Sequence, residues 1–192
     1  DSVNVTYNMI DKVAEAYIES ITNIKDHIPQ VVFQLLKALA NLAAHNYRKS
    51  AEDVAFAAKF SINENERADV DRLVKTTASV CVRTLLVNAA AFVNFAAVKF
   101  LVEAGSDVNF KAVGNKTALW HVAASTFRNE SDIIDARKCA RLLLDAGADP
   151  NVTDSKGVAV YNKKTDPEIA AMIQAKYPAL QQGKSAGCYV AT

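Results

Sequence analysis

One stretch of the chain recurs almost intact: FLVEAGSDVN at 100–109 is answered by LLLDAGADPN at 142–151. Each copy carries apolar residues at helical spacing, then Ala-Gly, then Asp and Asn. Glycine closes helices because it reaches positive φ without steric cost. Each copy therefore encodes the end of a helix followed by a turn. A repeated helix–turn unit cannot bury its apolar side alone; it must stack on the next copy, so the recurrence predicts an array.

A second landmark fixes the register. Thr84 opens TLLVNAAA and Thr117 opens TALWHVAA, 33 residues later. Leu occupies the third place in both (Leu86, Leu119), and alanines follow where helices must approach closely (Ala89, Ala90; Ala123, Ala124). Thr84 to Gly105 is 21 residues, whereas Thr117 to Gly147 is 30. The extra residues fall within 125–137. Beyond Gly147, DPNVTDSKGVAVY keeps the register, with Asp154 and Gly157 at a turn. The segment 165–177 reads as a further helix, capped by Thr165 or Asp166, with Pro167 in its first turn. Pro178 stops it.

Upstream, Val5, Met9, Val13, Ala16, Tyr17, Ile21 and Ile24 step by threes and fours, one helical face over 5–27. Pro29 suits the first turn of a second helix, whose apolar face runs to about His45. Ser50 with Asp53 resembles a capping box that opens a third. The polar stretch Ser61–Asp69 reads as a loop, and Val70, Leu73, Val74 and Thr77 as helix. Nothing in 1–100 alternates with period two, so the chain reads as all-α, with short β-like turns only in the repeat half.

These units resemble ankyrin repeats: a Thr-Pro-Leu-His-x-Ala-Ala helix, a second helix, then Ala-Gly-Ala-Asp-x-Asn and a protruding turn. The resemblance implies a helix-turn-helix array at 84–180, with units at 84–116, 117–158 and 159–180. A helical region at 30–83 would include a degenerate unit, since Ala38–Ala44 parallels Ala118–Ala124 place for place. A helix within 1–29 would cap the array, and 181–192 would be a flexible tail. The chain departs from the pattern in several places. Leu85 and Ala118 replace the Pro, Val87 and Trp120 replace the His, and His121 falls one place late. Val93 stands where a Gly usually breaks the two helices. A β-branched residue is strained in a left-handed turn, so the break is expected to be reshaped.

Composition excludes several classes. The formal net charge of +1 gives no bulk attraction for nucleic acid or an anionic membrane. The longest uncharged apolar-rich run, 84–98, is short of the ~20 residues that span a bilayer. The start lacks a secretory pattern, and the absent initiator Met suggests a fragment. Cys81, Cys139 and Cys188 have no paired spacing and read as reduced, buried thiols. His27, His45 and His121 have no ligand spacing, so no metal site is expected. No Gly-x-Ser-x-Gly occurs, and Gly114-Asn115-Lys116-Thr117 lacks the spaced glycines of a phosphate loop.

Ankyrin units usually bind through their turn tips and the exposed face of their first helices. Carried over by register, that surface is Arg83, Lys111, Val113, Lys116, Ser125, Thr153, Ser155 and Lys156, to which the insertion adds Phe127 and Arg128. Its basic character implies a protein partner with an acidic surface. The resemblance further implies a non-enzymatic, monomeric, cytoplasmic module without cofactor, bound to neither nucleic acid nor membrane. Bacterial and viral effectors with degenerate repeats are built alike, which would place it in a host cytosol. Two alternatives stay open: the binding portion of a multidomain effector, and an enzyme with an unrecognised site in its N-terminal helices.

Overall fold

The computed structural model describes residues 29–60, 62–76, 80–126, 129–160 and 165–177. Among them the fold is all-α. The helices are α1 (Gln30–Ala43), α2 (Tyr47–Ala57), α3 (Glu64–Asp71), α4 (Val80–Ala91), α5 (Phe95–Glu103), α6 (Ala118–Ala124), α7 (Glu130–Asp145) and α8 (Pro167–Lys176). A π-helical turn, Arg72–Thr76, continues α3. The proposed cap at 5–27 and the tail at 181–192 lie outside the described residues.

The helices form two layers. In one, α1 packs on α4 and α4 on α6; in the other, α2 packs on α5, α5 on α7 and α7 on α8. Pairs α1–α2, α4–α5 and α6–α7 close the layers on each other. The core between them is a continuous series that includes Leu35, Leu86, Leu101, Leu119, Leu143, Ile169 and Ile173, each at most 1% exposed. Leu119 and Leu143 thus sit where the repeat register requires.

Gly105 (φ +84°) and Gly147 (φ +90°) close α5 and α7 in the left-handed region, as the recurrence predicts. Val93 does not avoid that region. It adopts φ +53° between α4 and α5, and His45 adopts φ +60° between α1 and α2. These two bends mark the same place in successive pairs, 48 residues apart. The equivalence of α1 with α4 is therefore shifted by one residue from the sequence pairing. Ala38, Asn41 and Leu42 correspond to Leu86, Ala89 and Ala90, and to Leu119, Val122 and Ala123; all nine are buried.

Three local expectations need correction. Ser50 and Asp53 do not cap a helix. The helix starts at Tyr47, directly after Asn46, and both side chains are buried. Ser50 Oγ donates to the Ala38 carbonyl at 2.8 Å, and Asn41 Nδ2 donates to Asp53 Oδ2 at 2.7 Å. The polar stretch at 61–69 is no loop beyond Asn63. A capping box holds it in helix: Glu66 N donates to Asn63 Oδ1, and Asn63 N to Glu66 Oε2. Pro29 is the residue before α1, not a member of its first turn. A fourth difference concerns Thr84. It lies inside α4, which begins at Val80, whereas Thr117 caps α6 by accepting from Trp120 N.

Candidate interaction surface

Two fingers project between helix pairs, one at 106–117 and one at 148–159. Each is held by its own backbone. Ala112 N donates to the Lys116 carbonyl at 3.0 Å in the first; Asp154 N donates to the Val158 carbonyl at 3.0 Å in the second. Asp154 Oδ1 also accepts from Lys156 N and Val158 N, and Gly157 turns the chain at φ +75°. The fingers are tied to each other. Ser155 N donates to the Gly114 carbonyl at 2.8 Å. Asn109 reaches forward, donating to the Gly147 carbonyl at 3.0 Å and accepting from Asp149 N at 2.8 Å. Asn151 instead folds back onto Asp149 of its own turn.

In connectivity, α3 and its π-helical turn stand where a finger would lie between the first two helix pairs. They pack on α1 and α4, and Lys75 of the π turn lies against Gly105.

The expected partner-binding residues fall into two places. Lys111, Val113, Lys116, Thr153, Ser155 and Lys156 belong to the tied fingers, and Val113 at the first tip is 95% exposed. Arg83 is exposed on α4, its guanidinium 5.9 Å from the Phe110 ring at the base of the first finger. Ser125 does not join them. It follows the last residue of α6, away from the fingers, where its Oγ donates to the His121 carbonyl at 2.7 Å. Phe127 and Arg128 lie outside the residues whose side chains are described.

Beside Ser125 is a groove of roughly 420 Å³ that the sequence did not suggest. Its walls are Arg48, Phe92 and Val93 on one side and Trp120, His121 and Ser125 on the other; Asp132 of α7 also borders it. The guanidinium of Arg48 lies 5.0 Å from the Phe92 ring, and Lys116 Nζ lies 4.4 Å from the Trp120 ring. The Trp120 and His121 rings meet edge to face at 5.3 Å. Burial, and then the charge of Lys116, pull His121 down to about 4, so its imidazole is neutral at physiological pH. Arg48 and Phe92 could not have been paired from the sequence. They are 44 positions apart, and only the bends at His45 and Val93 bring them together.

Most cations of the second layer have carboxylate partners: Lys49–Asp53 (3.6 Å), Lys99–Glu103 (3.2 Å), Lys138–Asp135 (3.2 Å), Lys176–Asp145 (3.3 Å), and Arg137 with both Asp166 (2.9 Å) and Glu168 (2.7 Å); Arg48 of α2 is an exception. Arg48, Arg83, Lys111, Lys116 and Lys156 form no ion pair among the described residues; Lys59 and Arg67 share that lack. Three of those five lie over aromatic rings instead.

Cys139 is buried in the second layer, and burial, then Asp135, push its thiol up to about 12, where it is protonated and inert. Among the described residues no cluster of His, Cys, Asp and Glu is placed to hold a metal ion, and no helix is long and apolar enough to cross a membrane.

The model of the ankyrin-repeat family, described as ankyrin repeats in three copies, matches residues 43–154. The chain belongs to the ankyrin-repeat family. Ankyrin repeats are in general protein–protein interaction modules, and the family is typically non-enzymatic. The match starts at the end of α1 and ends in the second finger, so it covers the first finger, the start of the second and the groove. A search of curated proteins finds no match. Asn109 ties one unit to the next through two hydrogen bonds to the following turn.

Proposed function

We propose that this ankyrin-repeat chain binds, as a monomer, an acidic protein surface across its two fingers. The observation that carries the reading is that the finger lysines form no ion pair among the described residues. Lys111, Lys116 and Lys156 project from fingers locked to each other, and no carboxylate among the described residues neutralises them. Unpaired charges at an interface rim steer encounter with a complementary surface, over about 8 Å at physiological salt. Val113, almost fully exposed between Lys111 and Lys116, adds an apolar contact at the tip. Thr153 and Ser155 supply hydroxyls beside Lys156.

The test is affinity capture from cell lysate with the parent chain and with Lys111→Glu/Lys116→Glu/Lys156→Glu, followed by association kinetics on the purified partner. The triple variant should keep its helical circular dichroism, since exposed substitutions usually cost within about ±0.5 kcal/mol each. Its association should slow and lose most of its salt dependence. Equal capture by a folded triple variant would move the interface away from the fingers.

A further inference from the structure

We infer that the outward face of α7 is a separate docking site, which takes a short amphipathic helix of another protein carrying two apolar residues and one carboxylate. Its walls come from α5, α7 and α8, not from the fingers, so it is independent of the finger reading. The site originates in the length of α7. Gly105 and Gly147 are equivalent, so Phe95, the first residue of α5, corresponds to Arg137. α7 has 16 residues against 9 in α5, and its first turns, Glu130 to Ala136, have no counterpart there. The inserted residues therefore build an overhang. A helix extended only for packing would turn its apolar residues inward. Ile134 stands on the overhang and turns outward, 44% exposed. Ile134, Lys138, Arg141 and Asp145 step by four, three and four along one exposed face of α7. With Phe95 and Leu142, both half-buried, they line a shallow trough of roughly 450 Å³.

The charges of the trough select its occupant. Arg137 is held by two carboxylates, Asp166 at 2.9 Å and Glu168 at 2.7 Å. Lys138 has Asp135 at 3.2 Å, and Asp145 has Lys176 at 3.3 Å. Arg141 is the least satisfied: its side chain is 67% exposed, and Glu168, already engaged by Arg137, is 3.9 Å away. Its guanidinium keeps donors for a planar carboxylate, and arginine is among the residues that dominate interfaces. Ile134 and Arg141 are seven residues apart on α7, a span of ~10.5 Å at the helical rise. A partner helix lying nearly parallel to α7 matches that span with an apolar residue at i and a carboxylate at i+7. A second apolar residue at i+4 then meets Phe95. A polyanion fits worse, because Asp145 and Glu168 border the same trough.

The probe is a fluorescein-labelled, Ala-rich peptide of about 16 residues, long enough to populate a helix. It carries Leu at i and i+4 and Glu at i+7; a second probe carries Lys at i+7 instead. Fluorescence anisotropy with the full chain reads the affinity of each. The Glu peptide should bind, and Arg141→Ala and Ile134→Ser should each weaken it about tenfold, the order for losing a charge-assisted or an apolar contact. Both positions are exposed, so circular dichroism should not change. The deciding measurement is a charge exchange. Arg141→Glu should lose the Glu peptide and gain the Lys peptide, a reversal that loss of fold cannot produce. Lys111→Glu/Lys116→Glu/Lys156→Glu should bind the Glu peptide as the parent does. Absence of binding up to millimolar concentration, equal binding of both peptides to the parent, or loss of binding in the finger variant alone overturns the inference. Self-association of the parent that Ile134→Ser abolishes overturns it too, because the occupant would then be a second copy.

Discussion

The first helix pair contains a polar exchange whose energetics can be measured. Asn41 of α1 is fully buried and Asp53 of α2 is 4% exposed; they share a 2.7 Å hydrogen bond. In the second pair the equivalent places hold Ala89 and Leu101, and in the third Val122 and Leu143, all fully buried. A polar couple thus replaces an apolar one at the same interface. Asn41→Val takes the hydrogen bond from a buried carboxylate and should cost about 2–4 kcal/mol. Asp53→Leu strands the Asn41 amide, a loss of ~1–3 kcal/mol that the buried Leu partly offsets. The double variant recreates the couple of the third pair and should fall within about 1 kcal/mol of the parent, or above it, as replaced buried polar groups often do. The assay is urea unfolding at constant m, analysed as a double-mutant cycle. A coupling energy below about 0.5 kcal/mol would mean that the two side chains do not act as one unit and that the structural equivalence is misdrawn.

Three further outcomes follow from packing and capping. Leu119→Ala should cost ~2–5 kcal/mol by urea unfolding, the range for truncating a fully buried Leu. Gly147→Ala meets open space and should cost only the ~1–2 kcal/mol of a left-handed alanine; Gly105→Ala should cost more, because its methyl meets the Lys75 side chain, and Lys75→Ala should narrow the gap. Asp166 caps α8 through Glu168 N and Ile169 N and accepts two bonds from Arg137, whose guanidinium holds its carboxyl below the usual carboxylate range. Its contribution is present above the unfolded pKa of ~3.9 and is lost as pH falls through the lower folded value, so Asp166→Asn should lower stability at neutral pH, with the gap to the parent closing as pH falls below about 4.

The second half of the fold was legible because its signals are local. Gly105 and Gly147 must bend the chain, Thr117 and Asp166 must cap, and Leu119 must face inward. The helix α3 also had a local signal, Asn63 followed three residues later by Glu66, but its acidic composition masked it. Ser50 and Asp53 misled for the opposite reason. They have the chemistry of a cap, and only the packing of α1 on α2 reveals that they are buried there. The repeat register put a break at Val93 and the apolar face ended near His45, but neither residue announces a left-handed bend as glycine does. That is why the groove, unlike the fingers, had to be seen.

The ties between fingers have a dynamic consequence. Asp149 N is protected by a side chain from the preceding unit, and Ser155 N by the Gly114 carbonyl of the preceding finger. An amide in the second finger can exchange with solvent only when the first finger lets go. Hydrogen exchange at Asp149 and Ser155 therefore times the opening of residues some forty positions upstream. A ligand gripping only the first finger would slow exchange in the second without touching it.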